Sequence, residues 1–150
     1  MGRKVLATIT ALITAWGIII AGKMVATAAG ITEPTGLEYM TRGQIEHYLS
    51  TQPINYYVTL FVTSVIGAFF GGYIVTNMTR RESPGLAMTM TVCGFLIAGA
   101  LVNFFVLLPG QPVWLALLTL LSIIPAAWAG HTYADAAMGV RMDGAAKPNH

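Results

Sequence analysis

The sequence predicts an all-α membrane protein, a four-transmembrane-helix bundle with a short amphipathic helix in the first outer loop. Three observations predict it. From residue 83 to residue 134 the chain runs for 52 residues without an Asp, Glu, Lys or Arg, and Pro109-Gly110-Gln111-Pro112 divides that stretch in two. Two further apolar runs precede it, and each of the four is long enough to cross a hydrocarbon core of ~30 Å as a helix of ~20 residues. Charged residues make up 9% of the chain against 55% hydrophobic, well below the ~25% charged that an ordinary soluble domain carries. Lipid must therefore cover the surface, and at 150 residues one membrane domain uses nearly the whole chain.

The first span is expected at about 5–29. Arg3 and Lys4 precede it, and together with Ala26-Thr27-Ala28 they also resemble a cleavable secretory signal. The apolar stretch is longer than a typical signal core, which favours a retained span. Lys23 is the sole charged residue inside a span; its long stem can snorkel to the headgroups, or its ammonium can line a polar cavity. Trp16 carries an indole N–H suited to an interface or an interhelical contact.

The outer loop covers 30–53. Thr35-Gly36-Leu37-Glu38 and Thr41-Arg42-Gly43-Gln44 both match a helix capping box, and Leu37, Met40, Ile45 and Tyr48 recur near helical spacing, which predicts a short amphipathic helix on the membrane surface, weakened at Gly43. Glu33, Glu38, Glu46 and His47 crowd the same loop. They match no ligand spacing and read as solvated charges, so no metal is assigned.

The second span, about 54–78, carries Gly67 and Gly71 four apart with Gly72 beside them. Spans associate in lipid by close backbone approach and interhelical hydrogen bonds, so small residues should mark helix contacts. On the same ground Gly94, Ala98 and Gly99 mark the third span, about 86–108, and Ala126 and Gly130 the fourth, about 113–133. Cys93 reads as a small core residue. Asn103, toward the outer half of the third span, can bond to a neighbouring helix or face a cavity. Trp114 suits the outer aromatic belt. Pro125 removes a backbone donor and should kink the fourth span, leaving a carbonyl for Ser122 or a neighbouring chain. Lys23, Asn103, Ser122 and Pro125 are thus the candidates for a polar cavity. His131, beside Gly130, could ligate haem or a chlorophyll, or make an interfacial hydrogen bond. Residues 134–150 form a tail.

Arg3 and Lys4, Arg80 and Arg81, and Arg141 and Lys147 all fall on one side of the bundle, so both termini are expected in the cytoplasm. The net charge of +2 is small and scattered, unlike the clustered Lys and Arg of nucleic-acid binders. Nucleophile–base pairs, a glycine-rich phosphate loop and paired intramembrane carboxylates are missing, so the chain is not expected to be an enzyme and no cofactor is assigned.

Glu33-Pro34-Thr35-Gly36-Leu37, Gln52-Pro53, Gly67-Ala68-Phe69-Phe70-Gly71-Gly72, Asn103, Pro112-Val113-Trp114 and Pro125 together resemble a group of small four-span bacterial membrane proteins of uncharacterised function. The resemblance covers roughly residues 5–133 and implies architecture and a bacterial plasma (inner) membrane, with no active site to transfer. It departs near the outer end of the first span, where Lys23-Met24 stands in place of an acidic residue. With more glycine faces than catalytic groups, the chain is expected to act by contact, as an accessory or structural subunit of a larger membrane complex or as a homo-oligomer. A small-solute transporter or channel is the alternative, and haem or chlorophyll binding through His131 the third reading.

Overall fold

The computed structural model describes residues 2–28, 40–79, 85–107 and 111–145. Its helices are α1 (Gly2–Ala28), α2 (Arg42–Ser50), α3 (Ile54–Thr79), α4 (Gly85–Val102) and α5 (Val113–Ala145), with a π-helical segment, Asn103–Leu107, following α4. The described residues contain no strand, and α1, α3, α4 and α5 each hold a stretch long and apolar enough to cross a bilayer.

α3 is the central helix and packs against the other three spans. It runs antiparallel to α1, since Gly22 faces Thr63 while Ala15 faces Gly67 and Gly71. It is antiparallel to α4 as well, with Gly71 opposite Val92 and Thr76 opposite Thr89. α5 runs parallel to α3, from the edge-on rings of Tyr57 and Trp114 to the contact of Thr76 with His131. Gly2 and the end of α5 therefore share one end of the bundle, the terminal end. α2 and Gln111 lie at the other, the loop end.

The seams follow from the lipid solvent, in which small residues let backbones meet. A Cβ at Gly67 would come within 2.9 Å of the Ala15 carbonyl oxygen, and one at Gly72 within 2.8 Å of the Ala127 carbonyl carbon. Gly130 is pressed against the Phe69 carbonyl and lies so close to Tyr73 that a Cβ would sit 2.9 Å from its backbone nitrogen. α1 answers with Ala7, Ala11 and Ala15, all fully buried at four-residue intervals. This alanine stripe escaped the sequence reading, though its spacing is visible there. The outward faces remain apolar: Ile54, Val58, Val62, Ile66 and Phe70 form one exposed row on α3, and Val5, Ile9, Ile13 and Ile20 lie exposed on α1. A helix apolar on every side belongs in lipid.

Several expectations need correction. Gly94 and Ala98 make no seam within the chain, because both are exposed and a Cβ at Gly94 would meet nothing within 4 Å. α4 instead turns Thr89, Val92, Cys93 and Leu96 inward, and the side chains of Val92 and Leu96 fill the space that Gly71 leaves. Gly99 does make a contact: its open face lies against the Trp16 ring, 3.0 Å from where a Cβ would stand. On α5 the close approach to α3 is made by Ala127 and Gly130, while Ala126 is only partly buried against the core. α5 continues well past residue 133 to Ala145, because backbone hydrogen bonding does not stop where hydropathy does.

Among the described residues the loop helix is α2, and Met40 precedes it. α2 begins after Thr41, whose backbone N–H and hydroxyl both donate to Gln44 Oε1, at 2.8 and 3.0 Å. Its anchor is Leu49, fully buried among Tyr56, Tyr57, Phe104 and Leu115, and the Tyr57 hydroxyl donates to the Leu49 carbonyl. Thr35, Leu37, Glu33 and Glu38 lie outside the described residues.

Candidate functional site

At the loop end the four spans enclose a cavity of about 160 Å³. Its geometry follows from the helix directions. α1 and α4 run parallel, and Trp16 to Lys23 on one matches Leu96 to Asn103 on the other. Each pair is seven residues apart, or ~10 Å along the axis. The floor is accordingly apolar, made by Trp16, Leu96 and Ile123, with Lys23 and Asn103 about two turns above it, and Gln111 also lines the space. Ser64 and Thr119 line the wall, and the Ser64 hydroxyl is already directed to the Leu60 carbonyl at 2.7 Å.

Two features distinguish this space from a packing defect. The wall at Asn103 and Phe104 belongs to the π-helical segment, whose wider turn is a form that recurs at functional sites. Gln111, which directly precedes Pro112 and the start of α5, is only 9% exposed, and neither its Oε1 nor its Nε2 has a hydrogen-bond partner among the described residues. Buried polar groups are paired in the great majority of cases, so such an amide calls for an explanation. A cavity of this size accommodates a benzene-sized molecule or several waters, and polar walls favour a polar occupant.

Of the four residues expected to form a polar cavity, the structure brings Lys23 and Asn103 together and leaves Ser122 and Pro125 out of the lining. Pro125 sits on the exposed face of α5. The Ser122 hydroxyl donates to the Thr119 carbonyl at 3.0 Å, whereas the carbonyl that Pro125 leaves without a donor is that of Leu121. Gln111 was missed because the sequence places it in a turn, where a polar residue attracts no notice. Thr59, Thr63 and Thr91 bond back to carbonyls three or four residues earlier on their own helices, the local pattern common for threonine in helices.

His131 occupies a separate place, toward the terminal end. Its Nδ1 lies 2.9 Å from Thr76 Oγ1, Thr76 lies 3.3 Å from Thr89 Oγ1, and its Nε2 lies 3.5 Å from Asp135 Oδ2. An acid, an imidazole and a hydroxyl in sequence evoke a nucleophilic triad. Thr76 is 0% exposed, however, so no substrate can reach its oxygen, and the network acts as a polar tie among α3, α4 and α5. Both imidazole nitrogens are engaged, and binding haem iron or a chlorophyll magnesium would require releasing one.

On α2, Arg42 Nε and Glu46 Oε1 stand 3.5 Å apart, both well exposed. No cluster of three metal-ligating side chains occurs among the described residues. Comparison of the chain with protein-family models, curated proteins and solved structures returned no match.

Proposed function

We propose that the chain is a non-enzymatic, multi-pass protein of a bacterial plasma membrane whose loop-end cavity binds a small solute. The observation that carries this reading is the buried Gln111 amide, without a partner among the described residues, in the lining of a mostly apolar cavity. A few polar groups converging on a mostly apolar concavity is the usual makeup of a small-molecule site. Binding is the minimum that a small-solute carrier or channel requires. Both tails face the cytoplasm on this reading, as the basic residues at the terminal end favour.

Trp16 supplies the test, since it lines the cavity and Trp114 and Trp128 can be replaced by Phe to leave it as the single indole. Saturable change in its emission on titration with five-carbon amide, acid or amine probes supports the reading. Strictly linear responses to all three, matching their partition into protein-free lipid discs, refute it. Thiol-reactive reagents that label either tail from outside intact cells would overturn the orientation.

A second reading, contact with another membrane subunit or a second copy, is favoured by Gly94 and Ala98, which internal packing leaves on an exposed face of α4. Under it, mild-detergent extracts contain an oligomer or a co-purifying protein that Gly94→Leu disperses. A clean monomer counts heavily against it.

A further inference from the structure

The geometry points to the chemical class of the solute: a small uncharged molecule with an amide-like head, able to donate and accept at once, and a short aliphatic tail. This inference rests on the cavity being a solute site, and it adds which chemistry fills that site. Gln111 presents an acceptor, Oε1, and a donor, Nε2, and both are buried without partners. A head that only accepts, such as a carboxylate, leaves Oε1 without a donor. A head that only donates, such as an ammonium, leaves Nε2 without an acceptor. A primary carboxamide satisfies both through a pair of parallel hydrogen bonds, and Asn103, also in the lining, carries the same combination of groups.

Charge argues in the same direction. An ion brought into a lipid-enclosed cavity loses its hydration, and only a well-placed counter-charge compensates. The sole charged side chain in the lining is Lys23, half-buried and already engaged in an interaction within the protein. It repels an ammonium. Beneath the head, the run from Asn103 down to Leu96 and from Lys23 down to Trp16 gives the tail ~10 Å of depth. A chain of about five carbons suits a cavity of benzene-binding size.

The test is a titration of the full chain in phosphatidylcholine nanodiscs at neutral pH, with Trp16 as the single indole, using pentanamide, pentanoate and pentylammonium. The expected result is saturable binding of pentanamide at least about tenfold tighter than the other two, the worth of roughly one to two hydrogen bonds. Gln111→Leu should abolish that preference, and Gln111→Glu, which exchanges the donor for an acceptor, should shift it toward pentylammonium. Pentanoate or pentylammonium binding as tightly as pentanamide overturns the assigned class while leaving a solute site in place. No saturable binding of any probe overturns both. The wild-type titration decides even where a variant fails to fold.

Discussion

Replacing Gly130 by Ala tests the α3–α5 seam with one methyl group. A Cβ there would lie 2.9 Å from the Tyr73 nitrogen and 3.0 Å from the Phe69 carbonyl carbon, where ordinary contacts begin at 3.4 Å. Both obstructing groups are backbone, so no side chain can swing aside, and α5 must withdraw from α3 by about half an ångström or more. Overpacking of this kind costs ~1–3 kcal/mol, and separation loosens the neighbouring close approach of Gly72 to Ala127 as well. Against it stands the helix propensity gained on replacing Gly by Ala, ~1 kcal/mol. The expected net is a loss of up to about 2 kcal/mol. Gly94→Ala is the matched control: nothing lies within 4 Å, so only the propensity gain acts and stability should rise by ~0.5–1 kcal/mol. Reversible unfolding in mixed micelles, followed by circular dichroism across a denaturing-detergent titration, measures both. Gly130→Ala at or above wild type, or a reversed order of the two variants, would refute the packing described for this seam.

Gln111→Leu should raise stability by ~1–3 kcal/mol in the same titration while the preference for pentanamide is lost, because it removes a buried amide without partners. Stability unchanged within error would mean that the amide is satisfied in the membrane. Thr76→Val keeps the side-chain shape and removes the hydroxyl that meets His131 and Thr89; a cost of about 0.6–2 kcal/mol is expected, and a stabilised variant would show that the tie is not formed. Tyr57→Phe deletes the donor to the Leu49 carbonyl, so amide hydrogen exchange should accelerate across residues 42–50 and stay unchanged in the spans. Glu46→Gln should shift stability by less than ~0.5 kcal/mol, since its pair with Arg42 is exposed on both sides; a larger loss would place α2 in a drier setting.

The loop-end cavity shows why legibility differed from residue to residue. Lys23 and Asn103 stood out because polar groups inside apolar runs are costly in lipid and therefore conspicuous. Gln111 did not, since nothing in a Pro-Gly-Gln-Pro turn says that its side chain folds back into the bundle. Ser122 and Pro125 looked like cavity residues because a proline kink frees a backbone carbonyl, yet helix rotation set them elsewhere. The anchor of α2 was hidden too: Leu49 earns its burial from Tyr56, Tyr57, Phe104 and Leu115, which come from three other segments.

By itself the sequence determined the number of spans, their approximate limits and the all-α class, because these depend on the length and polarity of consecutive residues and on the need of every backbone group for an internal partner in lipid. The glycine approaches of α3 to α1 and α5 were legible as well, since small residues are the means by which spans come close. The tertiary structure alone decided the rotation of α4, the part of Ala127 in the close α5 contact, the π-helical wall and the cavity that Gln111 lines. A span apolar on every side has no one-dimensional signal for which face turns inward. That choice is made by the fit of all four helices at once, and the cavity is the space which that fit leaves.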